Sequence, residues 1–376
     1  MKKVLYVVTS DSFMKAFNLP YLRWFKENGY EVHVAYENRF NYAIPHCDKI
    51  IDLPFKRNPF HPANYQAYKR IKALIREHRY ELIHCHTPIP AAITRLAAAG
   101  SRKQGSKVLY TAHGFHFYKG ASIKSWAMYY SAEKALSYVT DGIVTINKDD
   151  YQFAKERLAS SKIFLIPGVG VDVKKYQPQT GLARQQLRQK LQFREEQFVL
   201  LYIAEFIPRK DHRFLLDLLP GLCQRIPGVK LVFAGRGVLL EQMKNLVQEK
   251  GLSSYVEFLG FRQDLDQVIP ASDVSISCSR QEGLGLGVAE GMMCSIPVVA
   301  SRIRGHADLV DDGQNGYLYG LDDQSAFIES IVKLYEDPNL RERMGQAAYE
   351  KVQTFSLESS LIAMDKIYRE ILTNNI

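Results

Sequence analysis

Two glutamates, Glu282 and Glu290, stand with seven residues between them in the glycine-rich segment SRQEGLGLGVAEGMMCSIPVVAS, residues 279–301. The segment follows an apolar strand pattern and leads into a helical one. Such a turn leaves backbone N–H groups unpaired, and these groups and the positive end of the helix attract an anion. The two carboxylates can accept hydrogen bonds from the hydroxyl groups of one extended ligand. The pattern therefore favours a site that binds an anion and hydroxyl groups. The alternative is that the helix dipole merely stabilises a Glu at the helix start and that the Glu within the helix is solvated.

Arg209 and Lys210 form a second candidate pair, in the segment AEFIPRKDH at residues 204–212. They follow a predicted strand and stand at the start of a predicted helix. The helix dipole disfavours cations at this end, so their presence there requires a functional reason. The alternative is that both side chains are solvated at the helix start.

His113 is a third candidate, because it comes directly after the strand pattern KVLYTA and Gly114 behind it lets the backbone approach a ligand closely. A lone histidine more often packs in a core, which is the interpretation for His84, His86 and His116. His84-x-His86 and His113-x-x-His116 lack a carboxylate or cysteine partner at ligand spacing, so we predict no metal site.

Three polar residues after the first strand pattern, Ser12, Lys15 and Asn18, are candidates for contacts with a second substrate. We expect the stretch from Asp11 onward to form a loop at the carboxyl end of that strand. The alternative is a polar loop in which Asn18 only caps the next helix.

The segment GRGVLL, residues 235–240, contains part of a dinucleotide-binding GxGxxG motif after the strand pattern KLVFA. The third glycine is missing, and no acidic residue stands convincingly at the end of the next strand to bind a ribose. We interpret Gly235 as part of a turn that lines a nucleotide site, with Arg262 nearby as a candidate for contact with the base.

The elements that must position these residues are short apolar runs in alternation with helical patterns. We predict strands at 3–8, 31–36, 81–86, 107–113, 142–147, 162–167, 197–204, 230–235, 255–260, 274–279 and 297–301. We predict helices at 18–28, 63–78, 88–99, 122–138, 148–157, 211–225, 238–250, 264–269, 286–294, 322–335 and 338–375. Strict alternation implies parallel sheets that are covered on both faces.

A chain of 376 residues and the polar segment VDVKKYQPQTG after residue 170 indicate two such α/β domains, doubly wound and Rossmann-like, facing a cleft. We expect an N-terminal domain at 1–168 and a C-terminal domain at 169–354. A C-terminal helix at 355–376 is expected to return to the N-terminal domain.

The charge is unevenly distributed along the chain. Residues 1–170 hold 25 Lys and Arg against 13 Asp and Glu, whereas the remainder carries three more acidic than basic residues. A one-sided positive field indicates a polyanionic or membrane-surface partner for the first half. Basic and aromatic residues mingle at 56–80, which favours a helix lying on an anionic membrane over a solvated helix packed on the sheet.

Other features exclude several classes of protein. No apolar run reaches the ~20 residues of a membrane span, and Lys2-Lys3 is not followed by a cleavage-site pattern, so we expect a cytoplasmic protein. The five cysteines contain no CxxC pair, which argues against a disulfide framework and a thiolate zinc site. No helix-turn-helix, zinc-finger or RNA-binding signature accompanies the basic charge, so nucleic acid is not an expected partner.

The glutamate segment resembles the E-x7-E signature of retaining family-4 glycosyltransferases with the GT-B fold. GHADLVDDGQNGYLY at 305–319 resembles the G-x-x-E-x-x-x-x-G-x-x-G-x-L tail of that family, with Asp308 where Glu is usual. TPIPAA (87–92), TAHGFHFYKGA (111–121) and IPGVGVD (166–172) resemble bacterial enzymes of exopolysaccharide and capsule synthesis, among them those of Bacillus biofilm matrix operons. The resemblance covers nearly the whole chain.

The resemblance implies that the N-terminal domain binds an acceptor and that the C-terminal domain binds a nucleotide-sugar donor. It also implies roles for the glutamate segment. Glu290 would bind the ribose hydroxyls of a nucleotide donor, and Glu282 would contact hydroxyls of the sugar ring. The backbone close to the sugar and phosphate would be that of Gly283, Leu284 and Gly285.

It also implies a catalytic group of His113, Arg209, Lys210 and Glu282, in which His113 contacts the donor sugar and the two cations clamp the diphosphate. The family often carries Gly-Arg where this chain has Ala204-Glu205. Arg209 would then replace the missing arginine.

The implied reaction is transfer of a sugar, with retention of anomeric configuration, from a UDP-linked donor to a polyprenyl-diphosphate-linked saccharide. The enzyme would work without cofactor or metal, peripherally at the inner face of the cell membrane. A UDP-sugar epimerase of the same fold and a non-catalytic nucleotide-sugar-binding relative stay open as alternatives, and so does the oligomeric state.

Overall fold

The computed structural model describes residues 2–118 and 120–373. Lys119, in the segment TAHGFHFYKGA, and residues 374–376, at the end of the predicted C-terminal helix, lie outside the described residues. The chain divides into two compact units, one made of Met1–Val169 and Ser360–Ile376 and the other of Gly170–Ser359. The first unit is therefore built from two separate pieces of the chain.

A parallel sheet of seven strands, in the order β3-β2-β1-β4-β5-β6-β7, forms the centre of the first unit. Its strands are β1 (Lys3–Ser10), β2 (Glu31–Glu37), β3 (Lys49–Asp52), β4 (Leu82–His86), β5 (Lys107–Ala112), β6 (Gly142–Thr145) and β7 (Lys162–Leu165). Its helices are α1 (Asp11–Phe17), α2 (Leu19–Glu27), α3 (Pro62–His78), α4 (Pro88–Ala98), α5 (Ile123–Ser125), α6 (Ser131–Ser137) and α7 (Lys148–Arg157). Shorter turns are the 3-10 helix Ser101–Gln104 and the π-helix Trp126–Tyr130.

A parallel sheet of six strands, in the order β10-β9-β8-β11-β12-β13, forms the centre of the second unit. Its strands are β8 (Phe198–Ile203), β9 (Val229–Ala234), β10 (Val256–Gly260), β11 (Val274–Ser277), β12 (Val298–Ser301) and β13 (Gly316–Tyr319). Its helices are α8 (Gly181–Lys190), α9 (His212–Arg225), α10 (Leu240–Glu249), α11 (Leu265–Val268), α12 (Leu286–Met293), α13 (His306–Leu309), α14 (Gln324–Glu336) and α15 (Pro338–Val352). Three 3-10 turns lie at Pro208–Lys210, Ile269–Ala271 and Gln353–Phe355, and α16 (Leu357–Thr373) ends the described chain.

Both sheets confirm the predicted doubly wound architecture. In β1, the five residues 4–8 are fully buried, because a parallel strand that is covered on both faces has no solvent side and reads as a continuous apolar run. The strand order reverses beside β1 in the first sheet and beside β8 in the second. Ligands of such sheets bind outside the carboxyl ends of the strands at this reversal.

The predicted helix at 338–375 is wrong in one respect, since the structure divides it into α15, a 3-10 turn and α16. Ser356 interrupts it with an extended backbone, and its Oγ accepts a hydrogen bond of 3.1 Å from the N–H of Ser359. The second piece, α16, packs in the first unit, where Trp24 donates to Asp365 at 2.8 Å. The expected return of the C-terminal helix to the N-terminal domain is therefore confirmed.

Several short elements were not predicted. Strands β3 and β13, of four residues each, were not predicted, and β3 buries a single one of its residues. The expected loop after β1 is instead helix α1, which begins at once because Ser10 Oγ accepts from the N–H of Phe13 at 3.3 Å. Helix α8 buries only Arg188 and so carries no apolar stripe.

A buried ion pair joins two helices of the first unit. Arg95 on α4 is fully buried and donates to Glu133 on α6 at 2.8 and 3.0 Å. The guanidinium also lies 4.0 Å from the ring centroid of Tyr110. Because both charges are removed from water, each depends on the other for compensation.

We expect Glu133→Ala to lower the free energy of unfolding by about 3–5 kcal/mol, because it leaves the buried guanidinium of Arg95 without a counter-charge. Urea denaturation measures the loss. The control is Glu27→Ala, which breaks an exposed pair with Arg23 and should change the free energy by less than about 0.5 kcal/mol. Equal losses in the two variants would contradict the prediction.

Candidate functional site

The predicted anion-binding turn lies between strand β11 and helix α12. Gly285 has a left-handed φ of 100° directly before the helix, and a Cβ there would lie 2.7 Å from Cδ2 of His306. Gly305 has a φ of 83°, and a Cβ there would lie 2.8 Å from Cα of Leu284. Both residues have a positive φ and a neighbour of the other turn within 3 Å of the Cβ position, so both positions favour glycine. The first N–H groups of α12, which have no partner within the helix, begin here.

Arg209 and Lys210 lie in the 3-10 turn after β8, the strand next to β11 in the sheet. Both contact the same carboxylate: Nη1 of Arg209 is 3.3 Å from Oε2 of Glu282, and Nζ of Lys210 is paired with Oε1. Arg209 also donates to the carbonyl of Gln281 at 2.9 Å. The structure therefore brings together three of the four residues that the sequence predicted to be catalytic.

The charge of Glu282 is set by these contacts. Burial alone would raise its pKa, but Lys210, together with His306 and Arg209, lowers the pKa to about 2. The side chains of Lys210 and Glu282 are only 14% and 11% exposed. One carboxylate thus faces two cations at neutral pH, which leaves net positive charge. An incoming anion has to compete with Glu282 for Lys210.

Two residues, one on strand β8 and one directly after the neighbouring strand β11, hold the backbone of Lys210 in place. The hydroxyl of Tyr202 on β8 donates to the carbonyl of Lys210 at 2.7 Å. The thiol of Cys278, directly after β11, contacts the same oxygen at 3.2 Å. Lys210 is therefore positioned by both strands of the reversal point, which pre-organises the cation for a ligand.

Glu290 lies on α12 in a different environment. Burial raises its pKa to about 7, against the smaller effects of a hydrogen bond with Tyr176 and the charge of Lys175. Gly291, the next residue, packs so closely on β11 that a Cβ would lie 2.7 Å from Ser275. The helix thus holds a half-buried carboxyl group that can accept or donate a hydrogen bond near neutral pH.

Gly235 and Arg262 line a pocket of about 380 Å³. A Cβ at Gly235 would lie 1.9 Å from the carbonyl oxygen of Ala204, so the backbone forms this wall. Arg262 is held by Asp264 through two hydrogen bonds of 2.7 and 2.6 Å. Phe261, 60% exposed, forms one rim of the pocket.

His113 lies directly after β5 in the first unit. Its Nε2 is 3.1 Å from Nδ1 of His86, and its ring packs edge-on against Phe13 of α1 at 5.1 Å between centroids. Burial lowers the pKa of His113 to about 4. The histidine is therefore neutral at physiological pH and can act as a hydrogen-bond partner but not as a cation.

The other predicted residues of the first unit lie on or next to α1. Asn18 is 1% exposed and accepts from Tyr6 at 2.9 Å while donating to the carbonyl of Phe13 at 3.1 Å. Lys15 is exposed, with Nζ 4.2 Å from the ring centroid of Tyr42. Ser12 is half-buried. Of these three residues, Lys15 and Ser12 are accessible to a ligand. Their role in binding a second substrate stays a prediction.

Sequence reasoning missed two residues of the second unit. Tyr176 stands in the polar segment after residue 170, where it is buried and forms a hydrogen bond with Glu290. An aromatic residue within a polar segment was the signal that the sequence offered. His306, in the GHADL stretch, is fully buried beside Gly285 and donates from Nδ1 to the carbonyl of Ser301 at 3.0 Å. No spacing rule pointed to either residue.

The described residues contain neither a cluster of metal-ligating side chains nor a membrane-spanning helix. Within 2–118 and 120–373, no group of three or more His, Cys, Asp and Glu side chains is placed to hold a metal ion. In the same part of the chain, no helix combines the length and the apolar character that crossing a bilayer requires.

Family models match both halves of the chain. Residues 3–147 match the model of glycosyl transferase 4-like proteins, and residues 183–351 match that of glycosyl transferases group 1. Each match spans most of one sheet and its helices.

Individual relatives agree with these matches. The Bacillus subtilis protein EpsD, which its name assigns to the glycosyltransferases, is 40% identical over 98% of this chain and 96% of its own. The Escherichia coli UDP-Gal:alpha-D-GlcNAc-diphosphoundecaprenol alpha-1,3-galactosyltransferase is 26% identical over 80% of this chain and 78% of its own. The Anabaena protein HepE, solved in complex with UDP, has a TM-score of 0.77 at 18% identity, over 98% of this chain and all of its own.

We expect Glu282→Gln to bind inorganic pyrophosphate roughly tenfold more tightly than the wild type, because the neutral amide no longer competes for Lys210 and Arg209. Isothermal titration calorimetry at pH 7.5 measures the change. The control is Glu241→Gln, which neutralises an exposed partner of Lys244 and should leave the affinity unchanged. Weaker binding by Glu282→Gln would contradict the competition.

Proposed function

The chain belongs to the group 1, family-4 glycosyltransferases of the GT-B fold, and we propose that it transfers a sugar from a nucleotide-sugar donor to a lipid-linked saccharide. The observation that carries the proposal is the contact of Arg209 and Lys210 with Glu282 beside the glycine turn 283–285. Fixed cations and backbone N–H groups serve a diphosphate, and a carboxylate next to them serves the hydroxyls of its sugar. The diphosphate and the sugar of one donor would thus find binding partners next to each other.

The reaction breaks the bond between the anomeric carbon and the phosphate oxygen of the donor. The electron pair stays on the departing diphosphate, while the sugar gains oxocarbenium character. Lys210 and Arg209 stabilise the charge on the leaving group, and the start of α12 adds its N–H dipoles. Because these groups supply the positive charge, the proposed reaction needs neither a divalent metal nor a cofactor.

The acceptor hydroxyl attacks the same face of the sugar that the phosphate leaves, and so the anomeric configuration is retained. Its proton passes to an oxygen of the departing phosphate. Glu282 orients the sugar through its ring hydroxyls, and Glu290 binds the ribose. His113, which is neutral, contributes a hydrogen bond to the sugar.

A UDP-linked sugar is the proposed donor. The name of the Escherichia coli relative specifies UDP-Gal, and the structural neighbour HepE is solved in complex with UDP. In this chain the pocket beside Gly235 has room for a base, and Phe261 and Arg262 offer it an aromatic face and a guanidinium. Ala204, in the wall of this pocket, follows β8, the same strand that leads into the turn with Arg209 and Lys210.

The proposed acceptor is a polyprenyl-diphosphate-linked saccharide of exopolysaccharide or capsule synthesis. The name of the Escherichia coli relative specifies a diphosphoundecaprenol acceptor. Such an acceptor lies in a membrane, which agrees with the excess of positive charge in residues 1–170. We propose that the enzyme works peripherally at the inner face of the cell membrane.

Helix α3 offers a surface for this contact. Phe60 before the helix is 85% exposed and Tyr65 is 61% exposed. Nζ of Lys69 lies 4.5 Å from the ring centroid of Tyr65, and Arg70 is exposed next to it. Exposed aromatics with adjacent cations are typical of proteins that lie on anionic lipid surfaces.

We expect Lys210→Ala to lower kcat about a hundredfold, the usual scale for losing one contact with the developing charge of a leaving group. The donor for the assay is the UDP-, GDP- or dTDP-sugar that raises the melting temperature most. Lys244→Ala, which removes an exposed lysine of the same unit, is the control and should keep full turnover.

Near-wild-type turnover of Lys210→Ala at saturating donor would refute its role at the leaving group. A second control omits the lipid acceptor. An epimerase would still interconvert UDP-sugars in that mixture, whereas the proposed transferase leaves the donor unchanged.

We expect the wild type to float with liposomes that contain anionic lipid at low salt, because cationic side chains near the surface contribute about 1 kcal/mol each. Lys69→Glu/Arg70→Glu should reduce flotation. Lys190→Glu/Arg213→Glu, which reverses two exposed cations of the second unit, should not. Absence of wild-type flotation would favour a solvated, non-membrane role for α3.

A further inference from the structure

A row of buried histidines lies next to His113 in the first unit. His84 and His86, both on β4, are 1% and 2% exposed. Nδ1 of His86 is 3.1 Å from Nε2 of His113, and the His86 ring stacks on Tyr6 at 4.7 Å between centroids. Nε2 of His86 is buried and has no hydrogen-bond partner among the described residues.

The hydrogen bond between the two rings allows two tautomeric arrangements when both are neutral. In the first, Nδ1–H of His86 donates to Nε2 of His113, and Nε2 of His86 is a bare acceptor. In the second, Nε2–H of His113 donates to Nδ1 of His86, so the proton of His86 must sit on its buried Nε2. The second arrangement buries an N–H donor without an acceptor, which proteins avoid more strictly than an unused acceptor.

The cavity next to the rings does not relieve this cost. It holds about 10 Å³ and is lined in part by the apolar residues Ile166, Val169 and Met364. That volume is at the lower limit for one water, which would also need two to four polar partners. The hydroxyl of Tyr6 is already engaged with Asn18 at 2.9 Å.

Charged forms of the pair are disfavoured as well. Burial lowers the pKa of His86 well below its ordinary value, with further lowering by His84 and His113. The other titratable side chains that line the cavity are His84, Tyr6, Tyr21 and Tyr368. Burial lowers the pKa of His84 and raises that of the three tyrosines, so all are neutral near pH 7.

We infer that His86 is a positioning residue that holds His113 as the neutral tautomer with its proton on Nδ1. His113 then presents an N–H donor to the sugar and cannot accept a proton or a hydroxyl hydrogen bond at Nε2. This deepens the proposed function and rests on it, since it specifies an oxygen acceptor on the substrate as the partner of His113. β4 and β5 pair in parallel with His86 opposite Thr111, two residues before His113, which brings the two rings together.

The first test is the tautomer of His113 in the wild-type protein. Histidine-selective ¹⁵N labelling with two-bond and three-bond proton correlations distinguishes a protonated ring nitrogen from a bare one, and His113→Asn assigns the signals. We expect protonated Nδ1 and bare Nε2 in His113, and bare Nε2 in His86. A proton on Nε2 of His113 would overturn the inference.

The second test uses two variants of His86. The amide of Asn can replace the Nδ1–H donor, whereas Leu cannot, so kcat/KM should fall about tenfold in His86→Leu and stay within about threefold of the wild type in His86→Asn. Thermal unfolding checks that both variants fold. Equal losses in the two folded variants would reveal a packing role and overturn the inference, as would full activity of His86→Leu.

The tautomer measurement needs no substrate, which separates this inference from the proposed function. A wild type that transfers no sugar from any nucleotide donor refutes the function, while the NMR result still decides the tautomer. A wild type that transfers sugar with His113 protonated on Nε2 refutes only the role of His86.

Discussion

The balance of charge at the carboxyl ends of β8 and β11 is the constraint on which the site depends. Two cations follow one strand and one carboxylate follows its neighbour, and the strand order makes these ends adjacent. Glu282 neutralises part of the positive charge in the absence of ligand, which spares Lys210 and Arg209 from facing each other unscreened. The same carboxylate is then available to sugar hydroxyls once phosphate takes over the cations. Glu290, in the second turn of α12, has the opposite pKa shift because it lacks such partners.

Much of the fold was predictable because parallel strands that are buried on both faces have sequences that are unbroken apolar runs. What escaped prediction were elements whose stability comes from neighbours rather than from their own pattern. Strand β3 offers one buried residue to the core, and α1 depends on a single serine cap. The break at Ser356 was hidden because helical apolar spacing continues on both sides of it. The spacing of apolar residues predicts an element only when several of its residues are buried, and a short element at the edge of a sheet buries few.

The site was predictable as far as it follows from strand ends. Glu282, Arg209 and Lys210 each stood out as candidates because they follow apolar runs, and the family resemblance grouped them. Their mutual ion pairs depend on the strand order, which no local pattern encodes. Asn18 has the residue type of a ligand contact, yet Tyr6 and a backbone carbonyl use its amide. Conversely, His86 reads as an ordinary core residue, since only three-dimensional packing shows that one of its nitrogens faces His113.

The C-terminal helix has a consequence for synthesis of the chain. Tyr368 on α16 bonds to His84 at 3.0 Å and packs against Phe25, and Ile367 and Ile371 are buried with it. The first unit therefore stays incomplete while the ribosome makes the whole of the second. The apolar residues that α16 covers lack this partner until α16 itself has been synthesised. Of these two units, the one whose sheet is synthesised first is thus completed second.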